Sequence, residues 1–309
     1  MVAPAQPHRA GSGLANYNAT IGPRQRQGIV SSRLHGIEAQ SIIAKVSDRA
    51  WQKRIQRAEY LASQYPFARE ILAFYVELTR FHERLYLGLE KRSKAQASHG
   101  RDCVPSEFPQ LVASLESFLT LAQRSGPSRL ADLARDLMSE GSDSWPGLLN
   151  ACWLASDSST EPQALLLQAF LQPFAEFVRG YTPMRPSVQT YPVCPFCDRK
   201  PGLAILRQQG DGGRRSLVCS FCMAEWEFRR IVCPRCGEED NGKLPVYIAN
   251  DFGHLRVECC DTCKTYIKSV DLTKNGLAEP VVDEIASVPL DLWAQEHAYS
   301  KLQLNLLGM

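Results

Sequence analysis

From residue 47 to about 180, apolar residues recur at spacings of three and four, the period of an amphipathic helix. "SDRAWQKRIQRAEYLASQYP" puts Trp51, Ile55 and Ala58 or Ala62 on one face, opens on the cap-type residues Ser47 and Asp48, and stops at Pro66. "PFAREILAFYVELTRFHERLYLGLE" carries Phe67, Ile71, Phe74, Leu78, Phe81 and Leu85 as a continuous core stripe. "FPQLVASLESFLTLAQRSG" and "SRLADLARDLMSEG" predict a further helical pair, each ended by glycine. "TEPQALLLQAFLQPFAEFVRGY" predicts a helix with Thr160 as its cap and Pro162 near its first position, kinked or divided at Pro173.

The texture changes after "YTPMRPSVQTYPV" (181–193), which has three prolines and no helical period and predicts a linker. Beyond it, short apolar runs alternate with turn signals. "LAILRQ", "QGDGG" and "RRSLVC" predict one β-hairpin, and "PVYIA", "NDFG" and "HLRVEC" a second. Each is preceded and followed by a C-x-x-C pair, so the second half repeats one form: knuckle, hairpin, knuckle. The fold class is α+β, with a mobile Pro- and Gly-rich arm over residues 1–30 and an all-α helical domain over 31–185. A tandem β-hairpin domain with two four-cysteine metal sites follows over 186–275, and a helical tail over 276–309.

The knuckle pairs are Cys194/Cys197, Cys219/Cys222, Cys233/Cys236 and Cys260/Cys263, separated by gaps of 21, 10 and 23 residues. A C-x-x-C turn offers two thiolates to one side of a tight loop, two corners of a tetrahedron. A gap long enough for one hairpin brings the other two corners to it. The expected sites are therefore sequential: Cys194, Cys197, Cys219 and Cys222 form site 1, and Cys233, Cys236, Cys260 and Cys263 form site 2. Redox dithiols would need a thioredoxin-like βαβ context, and none is visible. Four thiolates leave no open coordination position, which argues against metal-assisted hydrolysis. Thiolates admit zinc or iron, and spacing alone favours zinc. His82, Cys103 and Cys152 have no second ligand at useful spacing; Cys259, adjacent to Cys260, is expected to point the opposite way and pack, and His254 to lie on a surface turn.

Composition adds limits. The 309 residues are 44% hydrophobic and 22% charged, ordinary for a globular chain of about two domains. No apolar run approaches the roughly 20 residues of a membrane span, and the first residues show no apolar signal core. Cytoplasmic location without membrane insertion is the expectation, and in that reducing compartment eleven cysteines point to metal ligands rather than disulfides. The net charge is +2, and residues 194–275 hold 13 Lys and Arg against 11 Asp and Glu. Eight thiolates on two divalent ions bring that module to about −2, which weighs against nucleic acid as a partner. The basic run from Arg24 to Arg33 is expected to be a solvated segment.

The stretches "CPFCDRKPG", "RRSLVCSFCMAEWEFRRIVCPRC" and "CDTCKTYIK", followed by the tail "PVVDEIASVPLDLWAQEHAY", occur in an order that resembles the formate dehydrogenase accessory protein family, FdhE. Glu225, Trp226, Arg230, Tyr266 and Lys268 fall on that family's pattern, and the resemblance runs from Tyr191 to Tyr299. Asp198 and Ala298 stand where the family usually has glycine, and Glu284 where it usually has a second aspartate. The resemblance implies a non-catalytic maturation factor for respiratory formate dehydrogenase. It would bind the catalytic subunit before export by the twin-arginine route and hold iron in two mononuclear rubredoxin-like sites. A homo-oligomer is open on this reading.

The ten-residue strap between the knuckle pairs, if extended, puts Trp226 and Phe228 on one face and Glu225, Glu227 and Arg229 on the other. Trp226 then either fills the junction between the sites or joins Arg229 and Arg230 as an anchor for a client. Two other functions compete with the maturation factor: a rubredoxin-like electron carrier, and a zinc-ribbon adaptor for nucleic acid or transcription machinery.

Overall fold

The computed structural model describes residues 15–16, 36–93, 104–155, 161–182, 184–185, 190–210 and 212–309. Six helices come first: α1 (Gly36–Gln64), α2 (Arg69–Ser93), α3 (Val104–Ser125), α4 (Ser128–Ser139), α5 (Trp145–Leu154) and α6 (Pro162–Tyr181). Helix α1 begins at Gly36 rather than at Ser47, because residues 37–46 contain neither proline nor glycine to stop it. The tyrosine and proline at 65–66 end it as expected. Helix α6 is buried from Leu165 through Val178, the mark of a helix surrounded by others.

Helix α6 runs unbroken through Pro173, so the proline does not divide it. A proline inside a helix leaves the carbonyl four residues earlier without its N–H partner, here that of Ala169. The imidazole of His82, on α2, hydrogen-bonds this carbonyl. This buried histidine thus has a structural task, and burial pulls its pKa down to about 3, so it stays neutral. Cys103 and the basic run at Arg24–Arg33 lie outside the described residues.

The second half forms one sheet. Its strands are β1 (Ala15–Asn16), β2 (Pro201–Gln209), β3 (Gly212–Cys219), β4 (Glu225–Glu227), β5 (Val246–Ile248), β6 (Leu255–Cys260), β7 (Thr265–Asp271) and β8 (Ser300–Lys301). The order is β1-β5-β6-β7-β2-β3-β4, with β8 beside β7. Each repeat is a hairpin plus a third strand entered from its second knuckle: β2-β3-β4 and β5-β6-β7. The strap itself supplies β4. The two units join where β2 runs parallel to β7, with Ala204, Ile205 and Leu206 opposite Ser269, Val270 and Asp271. Ala15 and Asn16, inside the arm expected to be mobile, pair with Ile248 and Tyr247 of β5.

The tail forms α7 (Pro280–Ala286) and α8 (Val288–Glu296) and docks on β7 through buried charge. Lys268 has no exposed surface, and its ammonium meets Glu284 at 3.0 Å and Asp291 at 2.6 Å. Lys301 pairs with the same two carboxylates, and the Tyr266 hydroxyl donates to Asp291 at 2.8 Å. Burial opposes ionisation of Glu284, but Lys268 and Lys301 hold its carboxyl down at about 2. His254 is not a surface residue: only 14% of its side chain is exposed, and its Nε2 lies 2.7 Å from Asp283 of α7. Arg57 of α1 bonds the same carboxylate at 2.9 Å, so helical half, hairpin turn and tail meet on one aspartate. Among the described residues no helix is long and apolar enough to cross a membrane.

Candidate metal centres

Each knuckle is a tight turn closed by backbone bonds. The N–H of Cys194 reaches Arg199 O at 2.8 Å, that of Cys219 reaches Ala224 O at 2.9 Å, and that of Cys233 reaches Glu238 O at 2.9 Å. The residue after each second cysteine turns into the left-handed region: Asp198 (φ 62°), Met223 (φ 54°), Gly237 (φ 77°) and Lys264 (φ 52°). Only Gly237 is of the type that adopts this without steric cost. The aspartate at 198 therefore occupies a glycine-favouring turn, and Arg185 ion-pairs its carboxylate. Backbone N–H groups point at the first sulfur of three knuckles, from Phe196, Phe221 and Arg235, each at 3.4 Å.

The eight expected ligands gather in the sequential pairing. Cys194, Cys197, Cys219 and Cys222 form one cluster and Cys233, Cys236, Cys260 and Cys263 the other, with the sulfurs of each within 4.8 Å of one another. In the first cluster the close approaches are 3.5 Å (Cys194–Cys222), 3.4 Å (Cys197–Cys219) and 3.7 Å (Cys197–Cys222). In the second they are 3.7 Å (Cys233–Cys263) and 3.6 Å (Cys236–Cys260). A tetrahedron of sulfurs with metal bonds of about 2.3 Å has edges of about 3.8 Å, so both clusters suit one ion each. The same separations are far too long for disulfides, at about 2.05 Å.

Electrostatics point the same way. Hydrogen bonds from Cys197, Cys219 and Cys222 hold the Cys194 thiol down, while burial pushes Cys219 and Cys222 up. Four thiolates this close share protons unless a cation replaces them. With all four corners taken, neither cluster leaves a position for water or substrate on a bound ion.

The clusters differ in their surroundings. All four site 1 cysteines are buried, whereas in site 2 Cys236 is exposed and Cys263 half-buried. The helical half causes the difference. Phe221, between Cys219 and Cys222, packs edge-on to Trp153 of α5 with ring centroids 6.0 Å apart, and Trp153 meets Phe174 of α6 at 5.0 Å. Arg199, 1% exposed, lies 3.8 Å over the Phe221 ring and donates to the carbonyls of Cys152 and Ala155 at the end of α5. No short motif could have revealed Arg199, because its partners are backbone carbonyls more than forty residues away.

The strap alternates as expected, with Trp226 and Phe228 buried and Glu227, Arg229 and Arg230 exposed. Trp226 is 4% exposed, its indole N–H donates to Tyr191 O at 3.0 Å, and its side chain lies in the core beside site 1, so it presents no anchor to a client. Arg229 reaches Glu239 with two bonds, of 2.7 and 2.9 Å. Cys259 faces away from the second cluster and packs in the core with Val257, Tyr266 and Tyr299.

Comparison with known proteins agrees with this architecture. Residues 193–230 match the family described as "FdhE, central domain" and residues 231–307 that described as "FdhE, C-terminal domain". The boundary falls inside the strap, so each match holds one four-cysteine cluster. A protein FdhE homolog of Aquifex aeolicus is 25% identical over 266 residues, 82% of this chain and 94% of that protein. Protein FdhE of Escherichia coli K12 is 32% identical over 113 residues, which cover 36% of each chain. The crystal structure of the FdhE protein from Pseudomonas aeruginosa superposes with a TM-score of 0.60 at 22% identity, over 84% of this chain and 95% of that one, a likeness of fold.

Proposed function

The chain belongs to the FdhE family, and from that premise we propose that it is an accessory factor in the formation of formate dehydrogenase. It binds the catalytic subunit of that enzyme in the cytoplasm before export and performs no reaction of its own. Iron occupies both clusters, one ion in each; each ion closes its own hairpin unit, and the β2–β7 pairing makes the two units a single platform. The observation that carries this reading is the pair of closed four-cysteine clusters within one continuous sheet. A closed thiolate site suits a structural ion. Arg229 and Arg230, exposed on the strap between the clusters, are the contact residues for the client.

The test is a pull-down of the catalytic subunit with anaerobically purified, metal-analysed protein. Wild type captures the subunit. Arg229→Ala plus Arg230→Ala keeps two ions per chain and captures less. No capture by wild type would remove the client assignment.

A second reading, electron carriage, is favoured by one observation, the exposure of Cys236 in site 2. It requires reversible reduction and reoxidation of that site's ion without loss of metal. Irreversible metal loss on reduction would leave the structural reading alone.

A further inference from the structure

Between the strap and the second hairpin unit lies a cleft of about 300 Å³. Its floor is aliphatic, built by Leu206 of β2, Val246 of β5, Ile267 of β7 and Leu302. Ile231 stands on its rim, 44% exposed, and carries the aliphatic surface of the floor out to solvent.

Four arginines border this apolar floor, and three of them are engaged. Arg215 pairs with Glu258 at 2.7 Å, Arg256 with Asp271 at 2.5 Å, and Arg235 donates to the Thr265 hydroxyl at 2.6 Å. Glu258 is the one carboxylate lining the cleft, and Arg215 already occupies it. The fourth, Arg230, makes no hydrogen bond or ion pair among the described residues. It lines this cleft and also two neighbouring hollows. The Nε of Arg256, which also lines the cleft, is buried without a partner.

We infer that this cleft is a docking site for an extended peptide segment in which an aspartate or glutamate adjoins a bulky aliphatic side chain. The carboxylate pairs with Arg230, and the aliphatic group enters between Ile231 and Ile267. Charge complementarity selects the acid, since the cleft adds no free carboxylate of its own. The volume suits one or two side chains rather than a folded surface. A polypeptide rather than another anionic amphiphile is the occupant on the strength of the client-binding function proposed above. The inference locates the contact more finely than that function requires, at Arg230 and Ile231 rather than across the strap.

The test uses full-length protein loaded with zinc, which is diamagnetic, and labelled at isoleucine methyl groups. The probes are the peptide Ac-Gly-Asp-Leu-Leu-Gly-NH2, its Asn analogue, and decanoate. The Asp peptide moves the Ile231 and Ile267 methyl signals saturably and leaves that of Ile55, in the helical core, in place. The Asn analogue binds about tenfold more weakly, the loss expected for one charge-assisted hydrogen bond. Arg230→Gln abolishes the preference for Asp over Asn. Equal binding of the two peptides, or movement with decanoate alone, overturns the inference.

A parallel pull-down of the formate dehydrogenase catalytic subunit separates this inference from the function it rests on. If wild type and Ile231→Ser capture the subunit equally and the Asp peptide moves nothing, the cleft is wrong and the function stands. If the Asp peptide binds as described while no subunit is captured, the cleft stands and the client assignment falls.

Discussion

His82 of α2 hydrogen-bonds the carbonyl of Ala169 in α6, the acceptor that Pro173 leaves without its helical N–H. A buried carbonyl without a partner costs about 1–3 kcal/mol, so the imidazole lets a proline sit inside a continuous helix. The arrangement also fixes the charge state of the ring. His82 is 2% exposed and its other nitrogen, Nε2, has no partner, so only the neutral form is accommodated.

His82→Leu should therefore destabilise the protein by about 2 kcal/mol beyond any packing change. In a Pro173→Ala background the backbone N–H returns to Ala169, and the same substitution should cost about 1 kcal/mol less. Denaturant unfolding of the four proteins gives the coupling. Strict additivity would show that the imidazole does not replace the missing N–H.

The same histidine predicts a pH dependence. Its folded pKa, about 3, lies below the ordinary value of 6.5, so the unfolded chain binds the proton first. Stability from the neutral ring is fully present above pH 6.5 and is lost progressively as pH falls toward 3. Between pH 7 and pH 5 the wild type should lose about 2 kcal/mol from this group, and His82→Gln, which donates without titrating, should not. Parallel losses in both proteins would show that the ring titrates normally.

Ala298 has φ 62° and an exposed side chain at the turn between α8 and β8. The left-handed region costs a non-glycine residue about 1–2 kcal/mol, more than glycine's extra chain entropy of about 0.5–1 kcal/mol. Ala298→Gly should thus stabilise the chain by about 0.5–1 kcal/mol, read as a higher denaturation midpoint with unchanged slope. A lower midpoint would mean that the turn tolerates the methyl group without strain.

Much of the fold was legible because it follows from short-range patterns. The three- and four-residue spacing from Trp51 to Leu85 predicted helices, and the C-x-x-C spacing predicted both four-cysteine clusters and their sequential pairing. What escaped depends on distant partners. No local pattern joins β2 to β7, so two predicted hairpins became one sheet only in three dimensions. His254 looked like a turn residue because its partner Asp283 lies 29 positions away, on a helix whose docking the chain order does not reveal. Trp226 was ambiguous for a related reason: alternation places it on the apolar face of the strap but does not say whether that face meets core or solvent.

Lys268 and Glu284 show how far a motif residue can be from its reason. Both lie within the family-like stretches, and their side chains, 0% and 1% exposed, bind the tail to the sheet. Removing one member of a buried charge cluster leaves the others uncompensated, at a cost of about 3–5 kcal/mol. Lys268→Met should destabilise by that order and release α7 and α8, seen as loss of the near-ultraviolet signal of Trp293, whose ring now packs 4.6 Å from Tyr247. A fully structured tail in this variant would mean that Lys301 alone suffices.

The last expectation concerns metal loss. Both clusters offer four sulfurs at tetrahedral spacing, so affinity alone predicts similar ions with similar stability. Access is unequal, however: site 1 is buried beneath Phe221, Trp153 and Arg199, while Cys236 of site 2 is exposed. A chelator must reach a sulfur or the ion itself, so release should occur in two phases, one ion per chain in each. The fast phase belongs to site 2 and should be absent from Cys236→Ser plus Cys263→Ser, which retains only the slow ion. Cys219→Ser plus Cys222→Ser should retain only the fast one. Arg199→Met, which removes two bonds to the end of α5 without touching a ligand, should speed the slow phase alone. A single phase releasing both ions, or loss of both ions from either double-serine variant, would mean that the two clusters are not independent and that burial by the helical half does not protect site 1.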